Sequence, residues 1–207
     1  MEIPIEDFRT ARSQTLALAG SLSQKEFDWI PGPHQWSIGQ VLDHLFLVEQ
    51  MVRGEIALLI RLFREGKTPE IVRTFSDLNT GPAYLPRALL PLFSVPFSLL
   101  TRLMPRRLFD VIVRFPQIPF QAADRTTPAH GKNAAELRES LAQSINQTGC
   151  LLAANRDCEW DRLVLTHPAL GVNSVPQLIG VLASHERRHH GQIQRARRLL
   201  ENRRKES

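Results

Sequence analysis

The chain has 207 residues, 43% of them hydrophobic, with 26 Lys+Arg against 21 Asp+Glu and only two cysteines. That length buries one sizeable core, so a single domain over 1–207 is expected. Two cysteines without a CxxC exclude a disulfide-built scaffold and suit a reducing cytosol, with Cys150 and Cys158 expected as buried, inert thiols.

The apolar run between Arg87 and Arg102 falls short of the roughly 18 apolar residues of a membrane helix and is interrupted by Pro91 and Pro96. The start, MEIPIEDFRT, shows no signal or transit-peptide pattern, and a cytoplasmic location is expected. The net charge of +5 does not describe a nucleic-acid surface. From His185 onward there are eight Lys+Arg and three Glu, while the preceding 184 residues carry 18 of each sign. The excess lies in one helical tail, QRARRLLENRRKES, where cations complement the helix dipole and no aromatic residues interleave.

Four segments carry helical periodicity. The first, about 5–22, aligns Phe8, Ala11, Thr15, Leu18 and Leu22. The second opens at WSIGQV, where Ser37 and Gln40 spell a capping box and Trp36 is placed to staple onto Val41. It runs to about Glu65 with Ile38, Leu42, Leu45, Val52, Ile56, Leu59 and Phe63 as its buried stripe. The third, about 134–154, aligns Leu137, Leu141, Ile145, Thr148 and Leu152. The fourth starts at Ser174 with a second Ser-x-x-Gln box, tolerates Pro176 in its first turn, and reaches about Asn202.

Residues 66–131 hold nine of the 14 prolines and form a crossover between helices two and three. Its apolar stretch LLPLFSVPFSLL argues for packing against the helices rather than disorder. A connection this long also permits helices two and three to run parallel. No strand alternation competes, so the expected fold is an all-α four-helix bundle.

The fourth helix spells HERRHH from His185, which satisfies HExxH. On a heptad its inward row reads Leu178, Leu182, His185, His189, Gln192, Ala196 and Leu199, with Glu186, Arg187 and Arg188 pointing outward. Residues four apart differ by about 40° and roughly 6 Å of rise, so both imidazoles can converge on one ion. A zinc peptidase needs a third ligand downstream, either a histidine past a glycine or an acidic residue some 20 positions on. Here 18 residues follow His189, and the later histidine, His190, is rotated by about 100°. The better third ligand lies upstream: His44, two turns into helix two on the row Val41, His44, Val48 and Met51, bordering the apolar stripe. His34, His130 and His167 sit in predicted loops, which impose less geometry.

The segments WSIGQVLDHL and HERRHHGQI, with HPALG just before the last helix, resemble the DinB-like superfamily of metal-binding four-helix bundles. The resemblance covers the first 65 residues and those from about 132 onward. The family pattern of one histidine on helix two and HxxxH on helix four, followed by Gln-Ile, falls on His44, His185, His189, Gln192 and Ile193. It implies an up-down-down-up bundle and frequently a homodimer. It also implies a metal-dependent enzyme acting on a small molecule: a thiol S-transferase or isomerase using bacillithiol, mycothiol or glutathione, or a hydrolase.

Three neutral imidazoles leave coordination positions open, as catalytic rather than structural sites do. They suit zinc, nickel, iron or copper, with zinc or nickel foremost among the expected divalent ions. Such an ion lowers the pKa of bound water to about 7 and deprotonates a coordinated thiol. Two further side chains are candidates for catalytic roles. Glu49 interrupts the apolar row of helix two, and Gln192 stands one turn beyond His189. Arg87, Arg102, Arg106, Arg107 and Arg114 supply cations in the crossover that a carboxylate-bearing thiol would want. A non-catalytic bundle holding a small apolar ligand under the crossover is the alternative from another class.

Overall fold

The computed structural model describes residues 2–74, 77, 126–168 and 170–206. Most of the crossover, including Arg87, Arg102, Arg106, Arg107 and Arg114 and its apolar stretch, lies outside the described residues. The chain divides into two compact units: Pro4–Gln50, Pro128–Ala154 and Ile179–Ser207 in one, and Met1–Ile3, Met51–Thr127 and Asn155–Leu178 in the other.

Five α-helices occur among the described residues: α1 (Ile5–Ala19), α2 (Gln24–Phe27), α3 (Ile38–Arg64), α4 (Ala134–Ala153) and α5 (Val175–Glu206). Their starts are chemical. At α3, Gln40 N–H donates to Ser37 Oγ and Ser37 N–H donates to Gln40 Oε1, both at 3.1 Å, which is the predicted reciprocal box. At α4 the Asn133 side chain accepts from the N–H groups of Ala135 and Glu136. At α5 only half the predicted box forms: Ser174 N–H donates to Gln177 Oε1 at 2.8 Å. Helix α1 stops three residues short of the predicted Leu22, and α2, a single turn capped by Ser23 and Glu26, was not foreseen.

In the first unit the core gathers Ala19 of α1, Phe27 of α2, Ile38, Val41, Leu42 and Leu45 of α3, Leu137 and Leu141 of α4, and Ile193, Ala196 and Leu200 of α5. The basic tail of α5 contributes to this packing. Arg197 donates to Leu18 O at 2.6 Å, Arg203 lies over the Trp29 ring, and Arg204 pairs with Glu26.

In the second unit the all-α expectation is corrected by a small sheet of β1 (Glu70–Val72), β2 (Val164–His167) and β3 (Gly171–Ser174). β1 pairs parallel with β2, and β2 antiparallel with β3, Val164 opposite Ser174 and His167 opposite Gly171. Gly171, at φ +68°, takes the left-handed backbone that ends the hairpin turn. Ile71, Leu165 and Asn173 are buried on one sheet face. Strands of three and four residues are too short for alternation to register. The cysteines also differ from expectation in part: Cys158 is buried, but Cys150 is exposed. No helix among the described residues is long and apolar enough to cross a membrane.

Gly39 packs closely against a buried ring in the first unit. A Cβ there would lie 2.7 Å from the Phe27 ring and 3.2 Å from the Phe27 carbonyl oxygen. Because Phe27 is wholly buried and cannot withdraw, Gly39→Ala is expected to lower unfolding stability by about 1–3 kcal/mol, measured by urea denaturation.

Candidate metal centre

The two predicted histidines of α5 and the one of α3 come together. His44, His185 and His189 each offer a ring nitrogen, and the three lie within 4.8 Å of one another. His44 Nε2 and His185 Nε2 are 3.1 Å apart. The ring centroids stand at 5.2 Å for His44–His185, 5.2 Å for His44–His189 and 4.6 Å for His185–His189, all edge-to-face. Imidazole nitrogens bound tetrahedrally at 2.0–2.1 Å from zinc are about 3.3 Å apart, so the donor set fits a single divalent ion. His34, His130 and His167 do not join this group. His130 Nε2 lies 3.0 Å from Asp28 O, and His167, expected in a loop, ends β2, its Nδ1 accepting from Leu170 N–H.

The surroundings keep His185 and His189 neutral, which is the ligating form. Burial, with a smaller contribution from His44, pushes His189 down to about 4. Burial and the neighbouring His189 and His44 hold His185 well below the usual histidine value. His189 Nδ1 lies 2.6 Å from Gln192 Oε1. Since the amide oxygen only accepts, Nδ1 carries the proton and Nε2 is left as the donor atom. Trp36 closes one side, its ring 5.0 Å from that of His44 and stacked at 14° and 6.5 Å on that of His189. The staple residue before α3 therefore also touches the site. Asp43, beside His44, is wholly buried and accepts from Ala129 N–H and Lys132 Nζ, each at 2.8 Å.

Two expectations about the neighbouring polar residues are corrected. Glu186, expected to point outward, is 1% exposed, and Glu49, which interrupts the apolar row of α3, is 0% exposed beside it. Gln192, expected on the inward row, is exposed and reaches back to His189. The cause is Arg12 of α1, itself 1% exposed and missed in the sequence. Its Nε donates to Glu186 Oε1 at 2.8 Å and its Nη2 lies 2.6 Å from the same oxygen. Its Nη1 donates to Glu49 Oε2 and to Leu141 O, both at 2.9 Å. Thr148 donates to the other Glu49 oxygen at 2.7 Å. Thr15 donates to the other Glu186 oxygen and lies 2.9 Å from His190 Nε2. A carboxylate so engaged is not a free base, and the HExxH glutamate here holds an arginine instead of activating water.

The buried face of α5 is wider than the predicted row: Leu178, Leu182, His189 and Ala196 are buried as expected, Ile179, Ala183, Glu186 and Ile193 are buried beside them, and His190 lies against Thr15 and Ala11 O. The signal was present but unread: Phe8, Arg12, Thr15 and Ala19 are spaced four, three and four apart, a buried stripe with a cation in it.

The sequence profile of the DinB superfamily matches residues 7–193, and the chain belongs to that superfamily. No curated protein and no solved structure gives a match.

His189 protonates near pH 4 in the fold, against about 6.5 in an unfolded chain. Between those values the unfolded state binds more protons, so stability is present above about pH 6.5 and lost as pH falls. Metal-free protein is expected to lose roughly 1–3 kcal/mol between pH 7 and pH 5 in urea titrations, with a flatter profile in His185→Gln/His189→Gln.

Proposed function

We propose that this chain is a metal-dependent enzyme of the DinB superfamily that binds one divalent transition ion, zinc or nickel foremost and iron next, through His44, His185 and His189. The observation that carries this reading is the meeting of three imidazoles at a spacing that could hold one ion. The family match across residues 7–193 supports treating the chain as one DinB-like domain. On this reading the helices form an up-down-down-up bundle with 66–131 as the crossover insert, and the protein works in the cytoplasm as a homodimer on a small-molecule substrate.

A bound ion supplies a lowered pKa to whichever protic group, water or thiol, occupies its open positions. The chain's own residues do the rest. His189 is held by Gln192 in the tautomer that ligates through Nε2, Trp36 walls the site with a flat apolar face, and burial keeps the ligands unprotonated. Glu49 and Glu186 are both engaged by Arg12, so neither acts as a general base. An ion held by His44, His185 and His189 would leave a bound thiol fully ionised but bound water only partly so near pH 7, so thiol S-transfer, its proton passing to solvent, would ask less of a protein base than hydrolysis.

Protein prepared without nickel resin is expected to carry one ion per chain by elemental analysis. His44→Ala or His189→Ala should weaken affinity by more than about 100-fold, beyond the 10–100-fold cost of losing an outer partner, while circular dichroism stays helical. Unchanged metal content would contradict the assignment. Because Trp36 stacks on His189, adding Co2+ or Ni2+ is expected to quench its emission, and Trp36→Phe should abolish that response although Trp29 and Trp160 remain. Turnover of an electrophile such as 1-chloro-2,4-dinitrobenzene with a cellular thiol supports transfer. Turnover of p-nitrophenyl esters without thiol supports hydrolysis, and neither supports a non-catalytic ligand-binding bundle.

A further inference from the structure

The buried charges around Arg12 have a bearing on the histidines that neither the motif nor the family assigns. Glu186 stands next to His185 in α5 and in the middle of that helix's buried face. Apolar contacts along such a face are non-directional and tolerate small rotations of a helix about its axis. Hydrogen bonds do not, since they weaken steeply as their angles close. Glu186 is held by two hydrogen bonds, one from Arg12 Nε and one from Thr15, and by an ion-pair contact from Arg12 Nη2. The same guanidinium is fixed to Glu49 of α3 and to the Leu141 carbonyl of α4. Glu49 is five residues from His44, and Glu186 is one residue from His185 and three from His189. One planar cation thus sets the relation between the stretch of α3 that carries His44 and the stretch of α5 that carries the HxxxH pair.

We propose that Arg12 is a positioning residue for the metal centre, acting through Glu49 and Glu186 to hold α5 at the rotation where His185 and His189 face His44. This rests on the reading of the three histidines as ligands. Arginine is required for its shape as well as its charge, because a lysine ammonium has no fixed fork and cannot hold both carboxylates in one plane of donors. A buried network of this kind contributes little net stability compared with apolar residues of similar size, so its value lies in geometry.

The test uses the full chain and Co2+, whose visible absorption reports ligand geometry. Arg12→Lys and Glu186→Leu are expected to weaken Co2+ affinity about tenfold or more and to shift the absorption bands, whereas Glu186→Gln, which keeps an oxygen for Arg12, should stay within about threefold of the parent chain. Removing one partner of a buried pair can unfold a protein, so the triple variant R12M/E49L/E186L serves as the second arm. It strands no charge, is expected to fold as judged by circular dichroism, and should still bind Co2+ about tenfold or more weakly with an altered spectrum. A folded triple variant with the parent affinity and spectrum overturns the positioning role and leaves the metal centre standing. A parent chain that takes up no Co2+ removes the metal centre and the positioning role with it.

Discussion

Arg12 is the constraint from which the rest of the site follows. It lies in the interior of the first unit, 1% exposed, with two carboxylates and a backbone carbonyl around it. A charge in that place is tolerated only when paired and hydrogen-bonded on all sides. The partners come from three other helices, so satisfying one guanidinium fixes several helix faces together. His185 and His189 lie on the side of α5 that meets His44, next to the carboxylate that Arg12 holds.

The same constraint separates this protein from the zinc peptidases whose motif it spells. In HExxH chemistry the glutamate must reach a metal-activated water. Here both of its oxygens are taken, one by Arg12 and one by Thr15. The letters agree while the roles differ, because the third histidine lies on α3 and the glutamate faces α1. What remains is a cluster of three histidines, with Gln192 on His189 and Trp36 beside His44 and His189.

The parts of the fold that were legible in the sequence are those determined locally. The Ser37–Gln40 cap, the stripe from Ile38 to Leu59 and the pairing of His185 with His189 all depend on residues within a turn or two of each other. His44 was legible because its row borders that stripe. The burial of Glu186 was not, since a glutamate on a helix is ordinarily solvated and the residue that reverses this, Arg12, lies 174 positions away. Read together, three charges each interrupting an apolar row, Arg12, Glu49 and Glu186, would have pointed to mutual burial. The sheet escaped for another reason: β1 and β2 are 94 residues apart by register, Glu70 opposite Val164, and neither is long enough to carry a pattern alone.

The most direct measurement is X-ray absorption at the metal edge of the chain loaded with one equivalent of zinc. Three imidazole nitrogens in the inner coordination sphere, falling to two in His44→Ala, are the predicted result. A sphere with two imidazoles and a carboxylate, unchanged by that substitution, would contradict the account.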